Sequence, residues 1–140
     1  MLPRFVTFEG LDGSGKTTQL RAACDHLESL GRAYTLTHEP GGTALGEKLR
    51  ETLLDPSRAA MDGLVEALVV FASRRQHLLE VIDPALDAGR DVICDRFTDS
   101  TLAYQGYGRG VPIDALERLD SIATGSRQPD LTLKIGRAHV

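Results

Sequence analysis

Apolar positions along this chain switch between the close runs of buried strands and the three-to-four-residue spacing of helices. The alternation predicts its architecture. Phe5 to Glu9 reads as a first strand, and a helix is expected from Lys16 to Leu30, with Leu20, Leu27 and Leu30 near helical spacing and Gly31 as its stop. Ala33 to Thr37 makes a second strand. Leu45, Leu49 and Leu53 recur every fourth residue, and a longer helical stretch begins near Met61 and runs to Asp83-Pro84, where proline should interrupt or bend it before Gly89 ends the region. Asp91 to Cys94 is a short apolar third strand. A helix from about Thr98, a glycine-rich turn over Gly106 to Gly110, a helix over Ile113 to Thr124 and a fourth strand entered at Leu131 to Leu133 complete the pass. Strands alternating with helices predict an α/β fold, a three-layer αβα domain on a parallel sheet.

Composition narrows the function classes. With 140 residues, 41% hydrophobic and 26% charged, the chain suits one globular domain without linkers or repeats. A net charge of −4 offers no basic field for a nucleic-acid polymer, while a small anion in a local pocket stays open. No apolar run reaches membrane-spanning length, and MLPRFVTFEG lacks the layout of a signal peptide, so a cytoplasmic location is expected. Cys24 and Cys94 have no metal-ligand spacing and read as small core residues.

The strongest local signal is FEGLDGSGKTT. Gly10, Gly15, Lys16 and Thr17 satisfy G-x-x-x-x-G-K-[ST] between a strand and a helix. Glycines let successive N–H groups and the helix N-terminus face phosphate oxygens; Lys16 adds a charge at the transferring phosphate and Thr17 a hydroxyl for Mg²⁺. The expected ATP site comprises Gly10, Leu11, Asp12, Gly13, Ser14, Gly15, Lys16, Thr17 and Thr18. Asp95-Arg96 ends the third strand at the carboxyl edge, where such sheets bind ligands. Asp95 can serve the metal side and Arg96 can grip a phosphate with two N–H groups.

FEGLDGSGKTTQ, HEPGGT, FASRRQH and DRFTDSTLAYQG, in that order, resemble the successive signatures of thymidylate kinases, P-loop nucleoside monophosphate kinases, from Phe5 to about Leu133. The resemblance implies ATP as donor, Mg²⁺, dTMP as acceptor, dTDP as product and a homodimer packed through its helices. It places Asp12 near the acceptor sugar, Glu39 beside the acceptor phosphate, Arg50 and Arg96 on that phosphate, and Arg74 on a thymine carbonyl. Thr101 and Gln105 fall on the rest of the base edge, and Tyr104 against the sugar's 2′ position. Lys16, Arg96, Asp12 and Arg50 are the implied catalytic set, with Thr17 and Asp95 on the metal. The family order F-A-A-x-R puts a phenylalanine four residues before the base-reading arginine, where this chain has Val70 and carries its ring at Phe71. Either a helix irregularity brings Phe71 onto thymine, or stacking is weaker and Phe71 belongs to the core. Gly13 stands where some relatives carry an arginine, and relatives with glycine there use a later arginine-bearing lid. Two other functions stay open: another deoxynucleotide or deoxynucleoside kinase, and a P-loop module that binds nucleotide without turnover. His26, His38 and His77 show no partner pattern and read as surface or hydrogen-bonded histidines.

The last residues depart from the pattern. After Leu133, Ile135 to Val140 put Gly, Arg and His where a central strand keeps packing. With one codon chosen per residue, IGRAHV reads ATC GGA AGA GCA CAC GTC, the start of a common sequencing adapter. The expectation is a kinase domain over residues 1–134 without its lid and last βα unit, a non-native tail at 135–140, and poor turnover by this product.

Overall fold

The computed structural model describes residues 2–136. Strands β1 (Phe5–Glu9), β2 (Tyr34–His38), β3 (Asp91–Asp95) and β4 (Leu131–Lys134) form one parallel sheet in the order β2-β3-β1-β4. Helices α1 (Lys16–Ser29), α2 (Ala44–Leu54), α3 (Gly63–His77), α4 (Asp83–Asp87), α5 (Thr98–Thr101) and α6 (Ile113–Thr124) connect and cover it. The central strands β1 and β3 are buried almost throughout, whereas the edge strands β2 and β4 are half-exposed. That is the burial expected of a parallel sheet covered on both faces.

Side-chain alternation along the strands divides the core. Phe5, Val92 and Cys94 pack with Leu78, Ile82 and Phe97, the Phe5 and Phe97 rings meeting edge-on at 5.1 Å. Phe8 and Ile93 pack instead with Leu20 of α1. A third cluster, Ala67, Phe71, Val111, Leu116 and Ala123, joins α3 to α6. Asp91 ties the start of β3 to its surroundings, accepting from Arg4 N–H at 2.8 Å and from Arg32 Nε and Nη2 at 2.7 and 2.8 Å.

Register aligns the strand ends. Phe8 and His38 both lie opposite Asp95, and Glu9 lies opposite Lys134, so the segments leaving β1, β2 and β3 emerge along one edge of the sheet. This edge carries the site.

Two helical details differ from expectation. Pro84 does not stop its helix: a π-helical turn over Leu78–Ile82 precedes it, and Asp83 N–H donates to Leu78 O, five residues back. The wider turn absorbs the register change at a residue with no N–H to give, and the chain continues into α4. The expected glycine-rich turn is likewise partly helical, because a second π-helical segment, Leu102–Tyr107, extends α5 through Gly106. A Cβ at Gly106 would lie 2.8 Å from Ile113 Cδ1, so the glycine lets this segment press against α6. At the other end of the domain, Ile135 N–H donates to Glu9 O at 2.8 Å, continuing the β1–β4 ladder, and its side chain packs near Phe8. Residues 137–140 of the expected tail lie outside the described residues. Among the described residues, no helix is long and apolar enough to cross a membrane.

Candidate active site

The loop between β1 and α1 is shaped by its glycines. Gly13 and Gly15 have φ of 78° and 95°, left-handed values that side chains disfavour, and Ser14 N–H closes the turn on Leu11 O at 3.1 Å. A Cβ at Gly10 would sit 2.5 Å from Ile135 O, so β4 and the loop approach too closely for any other residue. α1 begins at Lys16 with no side-chain cap and no acid in its first turn, which leaves its N-terminal N–H groups open to an anion. Lys16 is buried, and its Nζ pairs with Asp95 Oδ1 at 2.7 Å. Thr17 and Asp95 line the same 760 Å³ groove along α1 and β2. Their hard oxygen donors suit Mg²⁺.

A second cavity of 390 Å³ adjoins this groove and shares Asp12, Glu39, Arg50 and Arg96 with it. Arg74, Thr101, Tyr104 and Gln105 line the remainder, so every residue expected on dTMP except Phe71 reaches this cavity. α3 runs without irregularity from Gly63 to His77. Val70 therefore faces the cavity, one helical turn before Arg74, while Phe71 is turned into the α3–α6 core. Of the two alternatives for Phe71 the core position is the one observed, so its expected place among the dTMP-binding residues is corrected: its ring packs between α3 and α6 and lies 5.1 Å from the Arg74 guanidinium.

Arg50 and Arg96 line both the cavity and the groove, whereas Arg74 lines the cavity alone. Arg96 sits at φ 72°, its N–H bound to Phe8 O at 2.9 Å. Its guanidinium donates to Tyr104 Oη and to Asp12 Oδ1, each at 3.0 Å. Arg50 Nη1 reaches Pro40 O at 3.0 Å beside the cis Glu39–Pro40 bond. Arg74, only 2% exposed, donates from Nε to Glu39 Oε1 at 2.6 Å and from Nη2 to Thr101 Oγ1 at 2.8 Å. Its Nη1 is buried without a partner. Arg74 lines the cavity, and an orphaned donor on such a residue marks a place for a ligand acceptor.

Two positioning groups were not foreseen. Glu9, at the end of β1, accepts from Phe97 N–H at 2.7 Å and from the Ser100 hydroxyl, holding the segment that follows Arg96. Burial pushes its carboxyl above the ordinary value of 4.5. Glu9 stands in the quoted FEGLDGSGKTT and Ser100 in the D-R-F-x-x-S motif, but nothing in either string pairs them. His77 is fully buried, with Nδ1 2.7 Å from Glu39 Oε2 and Nε2 2.6 Å from Thr37 Oγ1. The histidine is hydrogen-bonded, as its lack of a motif suggested; that its partner would be Glu39 was not visible. Glu39, His77 and Cys94 bring three metal-ligand types within 4.8 Å. Arg74 and Thr37 already engage two of them, and Cys94 Sγ donates to Arg96 O at 3.2 Å, so hydrogen bonding accounts for the cluster.

Comparison with known proteins agrees with this geometry. A family model described as thymidylate kinase matches residues 8–135. The chain is 51% identical over 129 residues to a thymidylate kinase of Bacillus licheniformis, covering 92% of this chain and 61% of that protein. With the Desulfovibrio desulfuricans thymidylate kinase the identity is 53%, over 92% of this chain and 59% of the relative. The chain thus spans about six tenths of the length of the curated relatives it matches. The crystal structure of thymidylate kinase from Ehrlichia chaffeensis superposes with a TM-score of 0.89 at 40% identity, covering 99% of this chain and 78% of that one. Sequence, fold and the edge-of-sheet site converge, and the chain belongs to the thymidylate kinase family.

Proposed function

We propose that this chain carries the donor and acceptor sites for phosphoryl transfer from ATP to dTMP, giving ADP and dTDP. The observation that carries this reading is the 390 Å³ cavity with Arg50 and Arg96 where it meets the phosphate-loop groove and the orphaned Arg74 Nη1, with Thr101 and Gln105, in its remaining wall. Cations shared with the donor groove suit a phosphate; polar groups that line the cavity alone suit a base edge. A phosphate monoester is largely dianionic near neutral pH, so an acceptor oxygen attacks the terminal phosphorus without a general base, and the bond to the ADP oxygen breaks in line. Lys16 and the loop N–H groups neutralise the donor, while Arg50 and Arg96 hold the acceptor against it. Thr17 and Asp95 would hold Mg²⁺, which when bound would offset charge on the donor phosphates.

The free, buried thiols of Cys24 and Cys94 accord with a reducing cytoplasmic setting. A homodimer accords with the exposed apolar residues Leu64 and Leu68, one turn apart on α3, and with Ile122 on α6. Isothermal titration with dTMP and with ATP, followed by a coupled ADP-release assay on the same preparation, tests the function. Arg74→Ala should weaken dTMP binding and leave ATP binding nearly intact. Absence of dTMP binding by the unaltered chain, or equal loss of both affinities in the variant, overturns the assignment.

A further inference from the structure

Arginine and carboxylate can meet through two parallel N–H···O bonds, as Arg32 and Asp91 do here. Glu39 and Arg74, both buried, meet through one. The reason lies behind Glu39: its second oxygen, Oε2, is held by His77 Nδ1 at 2.7 Å, and because a carboxylate only accepts, Nδ1 is the nitrogen that donates. Thr37 Oγ1 holds the far side of the imidazole at 2.6 Å. A Cβ at Gly42 would lie 2.5 Å from His77 Nε2, so the glycine turn packs directly onto the ring. With Oε2 engaged, Arg74 Nη2 is left for Thr101 and Nη1 has no protein partner on a residue that lines the cavity, while Phe71 and Phe97 flank the guanidinium at 5.1 and 4.7 Å.

We propose that His77 is a positioning residue for base recognition: by occupying Glu39 Oε2 it prevents the two-point Glu39–Arg74 contact and keeps Arg74 Nη1 aimed at the base. The inference rests on the dTMP reading above. Without the Nδ1 donor, the soft terminal torsion of Glu39 lets both oxygens turn to Arg74 Nε and Nη2, drawing the guanidinium off Thr101 and away from the ligand. The two imidazole nitrogens separate this role from packing. Asn places an N–H close to the position of Nδ1, whereas Gln reaches only toward that of Nε2.

The test is calorimetric titration of the unaltered chain, H77N, H77Q and H77A with dTMP, with 5-methyl-dCMP, in which an amino group replaces the base's 4-carbonyl, and with 2-deoxyribose 5-phosphate, which has no base. The ratio of the first two affinities should persist within about twofold in H77N and fall by roughly tenfold or more in H77Q and H77A, with sugar-phosphate affinity unchanged in all. Retention of the ratio in H77Q or H77A, or its loss in H77N, overturns the proposal, and H77N decides alone if the other two do not fold. A wild-type chain that fails to prefer dTMP removes both the dTMP reading and this inference. A wild-type preference that survives in H77A removes only the inference.

Discussion

Replacing Glu9 with alanine should disconnect the phosphate-loop strand from the acceptor arginine. Glu9 is 6% exposed and its two oxygens receive the Phe97 N–H and the Ser100 hydroxyl, both just after Arg96, whose left-handed backbone costs about 1–2 kcal/mol unless its neighbours impose it. In Glu9→Ala the Phe97 N–H, in a residue 1% exposed, loses its acceptor at about 1–3 kcal/mol, and the lost carboxylate packing brings the expected destabilisation to roughly 2–4 kcal/mol. Arg96 should then sample other conformations, and dTMP affinity should fall by about tenfold or more. Glu9→Gln is the control. Its carbonyl can still accept from Phe97 while its amide donates to Ser100 Oγ, so it should stay within about 1 kcal/mol of the parent near neutral pH. Burial raises the Glu9 carboxyl above 4.5, so the folded state favours the protonated acid. The contribution of Glu9 is therefore fully present below 4.5 and is lost as pH rises through the raised value. Glu9→Gln, which mimics the protonated acid, should gain stability relative to the parent over that interval. Urea unfolding followed by circular dichroism, from about pH 4 to about pH 8, measures both effects. An alanine variant within about 0.5 kcal/mol of the parent, or a flat parent-to-glutamine difference across that range, refutes the reasoning.

Lys16→Ala should abolish ADP release while dTMP binding stays within about threefold, because Lys16 lines the donor groove and not the acceptor cavity; retained turnover contradicts the phosphate-loop mechanism. Val70→Phe puts a ring on the cavity wall one turn before Arg74 and should tighten dTMP binding by about 0.5–1.5 kcal/mol in calorimetry with ATP affinity unchanged, whereas weaker dTMP binding means that the ring overfills the site. Asp91→Asn removes the negative charge that accepts from Arg32 Nε at 2.7 Å and should cost about 1–3 kcal/mol at neutral pH. Hydrogen bonding from Arg32 holds the Asp91 carboxyl below its ordinary 3.8, so this contribution is present above 3.8 and should vanish as pH falls through the lowered value; a gap independent of pH in acid denaturation would remove the charge from the explanation.

Periodicity located the elements because strands and helices each bury one regular set of positions. The predicted β1 coincides with the observed Phe5–Glu9, and β2 is displaced by one residue. The two π-helical segments were illegible: each depends on how a proline or a glycine settles against a neighbouring element, and apolar spacing does not record that. In the site, motif strings marked the residues that meet in the cavity, since the phosphate loop, Glu39 and Asp95-Arg96 all leave the same sheet edge. They did not mark the residues that aim them. Glu9 and Ser100 are 91 positions apart and His77 and Glu39 are 38 apart, so both pairings exist only after the sheet and α3 are assembled. Val70 against Phe71 is a matter of helical phase, and the unbroken turns of α3 settle which of the two faces the cavity.

The sheet order carries a consequence for synthesis. β1 leaves the ribosome before either of its neighbours, β3, beginning at Asp91, and β4, beginning at Leu131. The N–H of Phe5 closes on Asp130, 125 residues later. At roughly 5–20 residues per second, the phosphate loop waits on the order of ten seconds for the flanking strands that hold it. During that interval β1 lacks both of the strands that flank it, so the nucleotide-binding loop is synthesised long before the sheet that fixes it.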